Sequence, residues 1–198
     1  EFELVNPDSD ARYRDYWTTY LRLTARKGVS PEYAKIEMRR RHSLIGSMMI
    51  YKGDADGMLC GTFGTHALHL QYVDQVIGLK QGTNHYAAMN ALMLPNRTVF
   101  ICDTYVSPDP DAEHIAEMTM LAADEVRRFG IVPKVALLSA SNFGSIDLPS
   151  SRKMRAALAI LNERAPDLQV EGEMHGDAAL SDEIRQKVFP DSRLKGEA

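Results

Sequence analysis

Three serines, an asparagine and a glycine crowd the seven residues SASNFGS, Ser139 to Ser145, directly after the apolar run KVALL. Hydroxyls and backbone N–H groups in such a turn could hold phosphate oxygens, and Gly144 would let the backbone approach closely. The same residue types also build ordinary capped turns. Neither G-x-x-x-x-G-K-[ST] nor G-x-G-x-x-G occurs, so the stretch is neither a P-loop nor a dinucleotide fingerprint.

Three further polar stretches follow short apolar runs: CGTFGT (Cys60 to Thr65), CDTYVS (Cys102 to Ser107) and EMHGDAA (Glu173 to Ala179). Ligands of open α/β sheets gather at the carboxyl ends of the strands, so these turns are expected along one rim. Asp177 reads equally as an N-cap, and Asp103 and Thr104 as strand-end hydrogen bonders. Glu173 and Asp177 as paired acids for proton transfer stay open. Three sharper patterns fail. DADG opens like a calcium loop, but Thr65 stands where the bidentate glutamate belongs. His66 and His69 lack the glutamate and spacing of a zinc protease. Ser139, His175 and Asp177 lack a G-x-S-x-G elbow. No catalytic residue and no metal site is assigned.

The elements that must hold these turns read as alternating strands and helices. FELVN (Phe2 to Asn6) suggests a strand, followed by a helix with Tyr13, Trp17, Tyr20 and Thr24 on one face. SPEYAKIEMRR starts a helix with Ser30 as N-cap and Pro31 at the first position. A helix over about Ser43–Tyr51 leads to GDADG, GMLCG reads as a short buried strand, and HALHLQYVDQVIG as a helix ending at Gly78. LKQGTNH looks like a linker. AAMNALMLP and RTVFICD, parted by Pro95 and Asn96, predict an antiparallel pair. DAEHIAEMTMLAADEVRRFG is a helix facing inward through Ile115, Met118, Ala122, Val126 and Phe129. KVALLS, apolar without alternation, suggests a strand covered on both faces. SSRKMRAALAILNERA is a helix capped by Ser150 or Ser151, LQVEGE a strand, and DAALSDEIRQKVF one final helix. The alternation implies right-handed crossovers and a mainly parallel sheet. A strand so near residue one, and a polar connection at DSRLKGEA, suggest a fragment truncated at both ends.

The 198 residues, 44% hydrophobic, suffice for a real core, and the net charge of −4 argues against nucleic-acid binding. RRRH (Arg39 to His42) is the basic cluster, read as a solvated helix end. No apolar stretch suggests a membrane span. Two cysteines fit a reducing compartment, so a cytoplasmic protein is expected.

Taken together, GDADGMLCG, FICDTYVSPDPDAEHIAE, GIVPKVALLSASNFGS and GEMHGDAAL resemble the phosphate acetyltransferase (phosphotransacetylase) family over nearly the whole chain. The wording is closer still to the version of that domain fused behind a malic enzyme. The resemblance implies an α/β fold of two subdomains, of the isocitrate/isopropylmalate dehydrogenase-like type, with a ligand cleft between them. Residues 1–84 would be the latter part of the first subdomain and 85–198 most of the second. Active members carry an arginine where Gln71 stands, a cysteine where Thr104 stands and often a lysine within the loop that here holds Asn142 and Phe143. Such losses imply a regulatory domain that binds acetyl-CoA, or a related CoA ligand, without transferring its acetyl group. Its contacts would come from Thr62, Thr65, Asp103, Thr104, Ser139, Ser141, Asn142, Gly144, Ser145 and Asp177. A homo-oligomer is expected, with no nucleic-acid or membrane partner. No cofactor is expected in this stretch; NADP and a divalent metal would belong to the parent malic enzyme. The competing expectation is a working phosphate acetyltransferase.

Overall fold

The computed structural model describes residues 3–198, and the chain divides into two compact units, Glu1–Gly82 and Thr83–Ala198. Among the described residues, the first unit is helical: α1 (Tyr13–Leu23), α2 (Pro31–Arg40), α3 (His42–Lys52) and α4 (His66–Val76). Ser30 caps α2 by accepting from the Tyr33 N–H, with Pro31 at the first helical position. Gly53, at φ +80°, ends α3 in the left-handed conformation that glycine adopts without a Cβ clash. Tyr16, Tyr20, Ala34, Met38, Leu44, Met48, Tyr72 and Val76 form the core of this unit. The inward face of α1 therefore runs through Tyr16 and Tyr20, while Tyr13 and Trp17 stay half-buried.

Two expected strands are missing here. Residues 3–6 are irregular, and Phe2 lies outside the described residues. GMLCG is also irregular, with Leu59 and Cys60 exposed. A strand needs a neighbouring ladder for its N–H and C=O groups, and the described residues of this unit contain no other strand to supply one.

The second unit carries two small sheets. β1 (Met89–Leu94) and β2 (Arg97–Cys102) pair antiparallel, with Met89 opposite Cys102 and Leu94 opposite Arg97. α5 (Ala112–Arg128) follows, capped by Asp111 accepting from the His114 N–H. β3 (Lys134–Leu138) and β4 (Gln169–Met174) pair in parallel and are connected through α6 (Pro149–Arg164). α7 (Gly176–Leu180) and α8 (Asp182–Val188) close the unit. Ile115, Ala116, Met118, Ala123, Leu137, Ala157, Leu161, Leu168 and Val170 pack between α5, α6 and the parallel pair.

The mainly parallel sheet expected from the alternation gives way to one parallel and one antiparallel pair among the described residues. β3 is not covered on both faces: Leu137 is buried, but Lys134 and Leu138 are exposed. β4 is the buried strand, from Val170 to Met174. On α5, Phe129 points outward, 66% exposed, and Ala122 is half-buried. α6 begins at Pro149 after Leu148 and has no side-chain cap, because Ser151 turns inward. The expected last helix is broken at Ser181, whose hydroxyl accepts from the Ile184 N–H to start α8.

Candidate functional site

In the first unit, CGTFGT borders a pocket of ≈ 960 Å³ lined by Met58–Gly64 and by Arg40, Arg41, His42, Ser43, His69 and Tyr72 among others. Thr62 sits at φ +73°, a strained conformation for a β-branched residue and one that recurs at ligand sites. Thr65 is already engaged: its Oγ1 caps α4 by accepting from the Leu68 N–H at 3.3 Å. Ser43 Oγ meets His69 Nδ1 at 2.5 Å. Arg41 is held by Glu37 at 3.1 Å, and Tyr72 donates its hydroxyl to the same carboxylate. Burial, then that bond, pushes the Tyr72 hydroxyl well above its ordinary pKa. The run RRRH, expected to be a solvated helix end, thus lends Arg40, Arg41 and His42 to the pocket wall. Asp54 of GDADG accepts from Tyr16 Oη at 2.5 Å, which ties the turn to α1.

In the second unit the serine loop and EMHGDAA come together around Glu173. This glutamate lies next to the end of the buried stretch of β4 and is fully buried. Its Oε1 accepts from Ser141 Oγ at 2.8 Å, the Gly144 N–H at 3.0 Å and Arg155 Nη1 at 2.7 Å. Its backbone oxygen accepts from the Phe143 N–H at 2.8 Å. The loop reaches these donors by taking Phe143 and Gly144 through φ +47° and +85°. Glu173 Oε2 has no hydrogen-bond partner among the described residues. Burial alone would raise the Glu173 carboxyl, but the Ser141 and Gly144 hydrogen bonds and the Arg155 charge outweigh it and hold the pKa below the usual range.

The remaining loop groups are also committed. The Asn142 N–H donates to Ser145 Oγ at 2.9 Å, the Ile146 N–H donates to Ser141 Oγ at 3.1 Å, and Ser139 Oγ meets Ser151 Oγ at 3.1 Å. Asn142 Oδ1 accepts from the His175 N–H at 2.7 Å, which fixes the amide orientation. Its Nδ2 then donates to His175 Nδ1 at 3.0 Å, so that ring nitrogen is the unprotonated one. Ser139 thus pairs with Ser151 and His175 with Asn142. Asp177 is exposed and accepts from the Ala178 N–H at 2.8 Å, as a residue of the first turn of α7.

Asp103 accepts from the Ala88 and Ser107 N–H groups at 2.8 and 2.7 Å. Burial would raise its carboxyl, but these backbone donors hold it low. Thr104 Oγ1 donates to Asn90 Oδ1 at 3.0 Å. Both act as strand-end hydrogen bonders. Ser139, Ser141, Asn142, Gly144 and Ser145 form one cluster, in which Asp177 takes no hydrogen bond, and Asp103 and Thr104 form another at the end of β2.

Two cluster members were not expected: Glu173 as its centre, and Arg155 from mid-α6. Arg155 brings a cation to the loop, yet its guanidinium is divided between Glu173 at 2.7 Å and Asp147 at 2.9 Å. The cluster is therefore an internal anion site, filled by the chain's own carboxylate.

Residues 1–198 match the family described as phosphate acetyl/butaryl transferase. The NADP-dependent malic enzyme of Escherichia coli is 52% identical over 198 residues, covering 100% of this chain and 26% of that protein. The phosphate acetyltransferase of Nitratidesulfovibrio vulgaris is 33% identical over 196 residues, covering 99% of this chain and 28% of that protein. The chain thus spans about a quarter of the length of these curated relatives. A phosphotransacetylase structure from Streptococcus pyogenes superposes with a TM-score of 0.87 at 29% identity, over 100% of this chain and 60% of that one. No helix among the described residues is long and apolar enough to cross a membrane.

Proposed function

The chain belongs to the phosphate acetyl/butaryl transferase family, and from that premise we propose that it is the regulatory phosphotransacetylase-like domain of an NADP-dependent malic enzyme, binding acetyl-CoA without transferring its acetyl group. The observation that carries this reading is the committed serine loop. Ser141 Oγ and the Gly144 N–H already serve the Glu173 carboxylate, and Arg155 is neutralised by Glu173 and Asp147. Acetyl transfer from acetyl phosphate develops charge that preorganised cations must stabilise, and one lost donor of this kind commonly costs on the order of 10²–10³ in rate. Gln71 and Thr104, at positions where active members carry arginine and cysteine, point the same way. The greater identity to the malic enzyme than to the stand-alone transferase supports the choice of parent.

Under this proposal Thr62, at the large pocket of the first unit, contacts the effector. The fold is then of the isocitrate/isopropylmalate dehydrogenase-like type, and NADP and the divalent metal serve the malate-oxidising part of the parent. Coupling between the effector and that part would be typical at about 1–3 kcal/mol. Calorimetry of acetyl-CoA against the protein tests the proposal: saturable heat is expected below millimolar ligand, and none at millimolar ligand defeats it.

A role in self-association rests on a separate observation. One face of the β1–β2 pair carries Leu92, Leu94 and Ile101 at 43, 45 and 40% exposure. An exposed apolar face of this kind is a surface that proteins cover. A second copy of the same face, in a two-fold dimer, is the simplest cover.

A further inference from the structure

In the first unit, α1 and α2 frame a second groove of ≈ 350 Å³ lined by Tyr13, Trp17, Lys35, Ile36, Arg39 and Arg40, the last of which also borders the Thr62 pocket. Lys35 Nζ lies 4.9 Å from the centre of the Trp17 ring, and the Arg39 guanidinium 4.6 Å from that of Tyr13. Tyr13 Oη donates to the Lys35 carbonyl at 2.9 Å and fixes the two helices at this point. Among the described residues, no carboxylate forms an ion pair with Lys35, Arg39 or Arg40, although Arg12, Arg41 and Lys52 of the same unit are all paired. The groove thus sets three cations without ion pairs beside two aromatic rings.

A guanidinium stacked on a ring still presents its in-plane N–H donors outward, in the fork that matches phosphate oxygens. A lysine on a flexible stem can turn from a ring face to an anion and leave the ring to a planar ligand. Inorganic anions would use only the cations, and a neutral ring only the aromatics. The groove is of the size at which small-ligand sites begin, about 300 Å³. We propose that it binds a nucleoside di- or triphosphate, with the base on Trp17, Tyr13 and Ile36 and the phosphates on Lys35, Arg39 and Arg40. Free nucleotides and the nucleotide end of coenzyme A share this chemistry.

Trp17 is the only tryptophan of the 198 residues, so its fluorescence reports this groove alone. Titration with ADP is expected to change that emission saturably at submillimolar concentration, and the response should weaken steeply with added salt. Tripolyphosphate and adenosine, tested separately, should each bind at least tenfold more weakly. The double variant K35Q/R39Q, altered only at exposed positions, should raise the ADP dissociation constant at least tenfold with an unchanged far-ultraviolet circular dichroism spectrum. No response to millimolar ADP, or equal affinity for tripolyphosphate or for adenosine, overturns the proposal. So does an unchanged ADP response in the double variant. Displacement of ADP by acetyl-CoA would identify coenzyme A as a source of the nucleotide; lack of displacement would leave free nucleotides as the ligand. Failure with ADP is separable from failure of the effector reading, because acetyl-CoA heat is measured independently.

Discussion

Glu173→Gln removes the charge of a fully buried side chain and leaves the shape of its cluster nearly intact. The amide oxygen can still accept from Ser141 and Gly144, but those bonds lose their charge assistance, and Arg155 loses its buried partner. Hydrogen bonds to charged groups contribute about 1.5–3 kcal/mol each, roughly twice the neutral value. Arg155 is 38% exposed, so solvent screens its share and the full cost of breaking a buried pair does not apply. A net loss of about 2–3 kcal/mol at neutral pH follows. The pH dependence has a definite sign. A carboxyl whose folded pKa is depressed contributes stability above its unfolded value, about 4.3, and that contribution is lost as pH falls through the folded pKa. Urea unfolding at pH 7 and again near pH 3 should therefore show a wide gap between the parent and Glu173→Gln that narrows in acid. Equal stability at pH 7, or a gap that survives acidification unchanged, would refute the internal-anion account of the loop.

Other substitutions probe the frame around that loop. Gly172 stands at φ +155°, and an added Cβ would lie 2.7 Å from the Leu137 carbonyl oxygen; Gly172→Ala should cost about 2 kcal/mol or more in urea unfolding by forcing β3 and β4 apart. Arg185 is fully buried and donates to the Ala178, Leu194 and Gly196 carbonyls, so Arg185→Ala should cost about 3–5 kcal/mol and speed amide exchange over residues 194–198. Burial pushes the Cys102 thiol up to about 11, and iodoacetamide should label it slowly at pH 8 and about tenfold faster for each unit of pH up to that value. Leu92→Glu with Leu94→Glu should shift the protein toward monomer in light scattering if β1 and β2 form the self-association face.

What the sequence disclosed follows the range of the interactions involved. Ser30 with Pro31, Asp111 before α5, and the Pro95–Asn96 turn are local signals, and each stands where the residues placed it. The pairing of the serine loop with EMHGDAA was also legible, because adjacent parallel strands bring their carboxyl ends together. GMLCG failed because five apolar residues do not state whether a neighbouring strand exists. The break at Ser181 was hidden in a helical pattern, since a serine inside such a pattern reads as easily as a surface residue as it does a cap. Glu173 and Arg155 were missed as a pair for a different reason. They are 18 residues apart on different elements, and only tertiary packing makes one the answer to the other's charge. Arg40 and His42 likewise join the Thr62 pocket through helix packing that no periodicity encodes.

Under the proposed function, the Glu173 carboxylate of β4 takes up the loop donors and the Arg155 cation that a transferable phosphate would need. The most direct measurement is thioester formation from acetyl phosphate and coenzyme A by the protein. The account predicts no acetyl-CoA above the enzyme-free rate, and turnover at ordinary enzyme rates, about 1 s⁻¹ or faster, would contradict it.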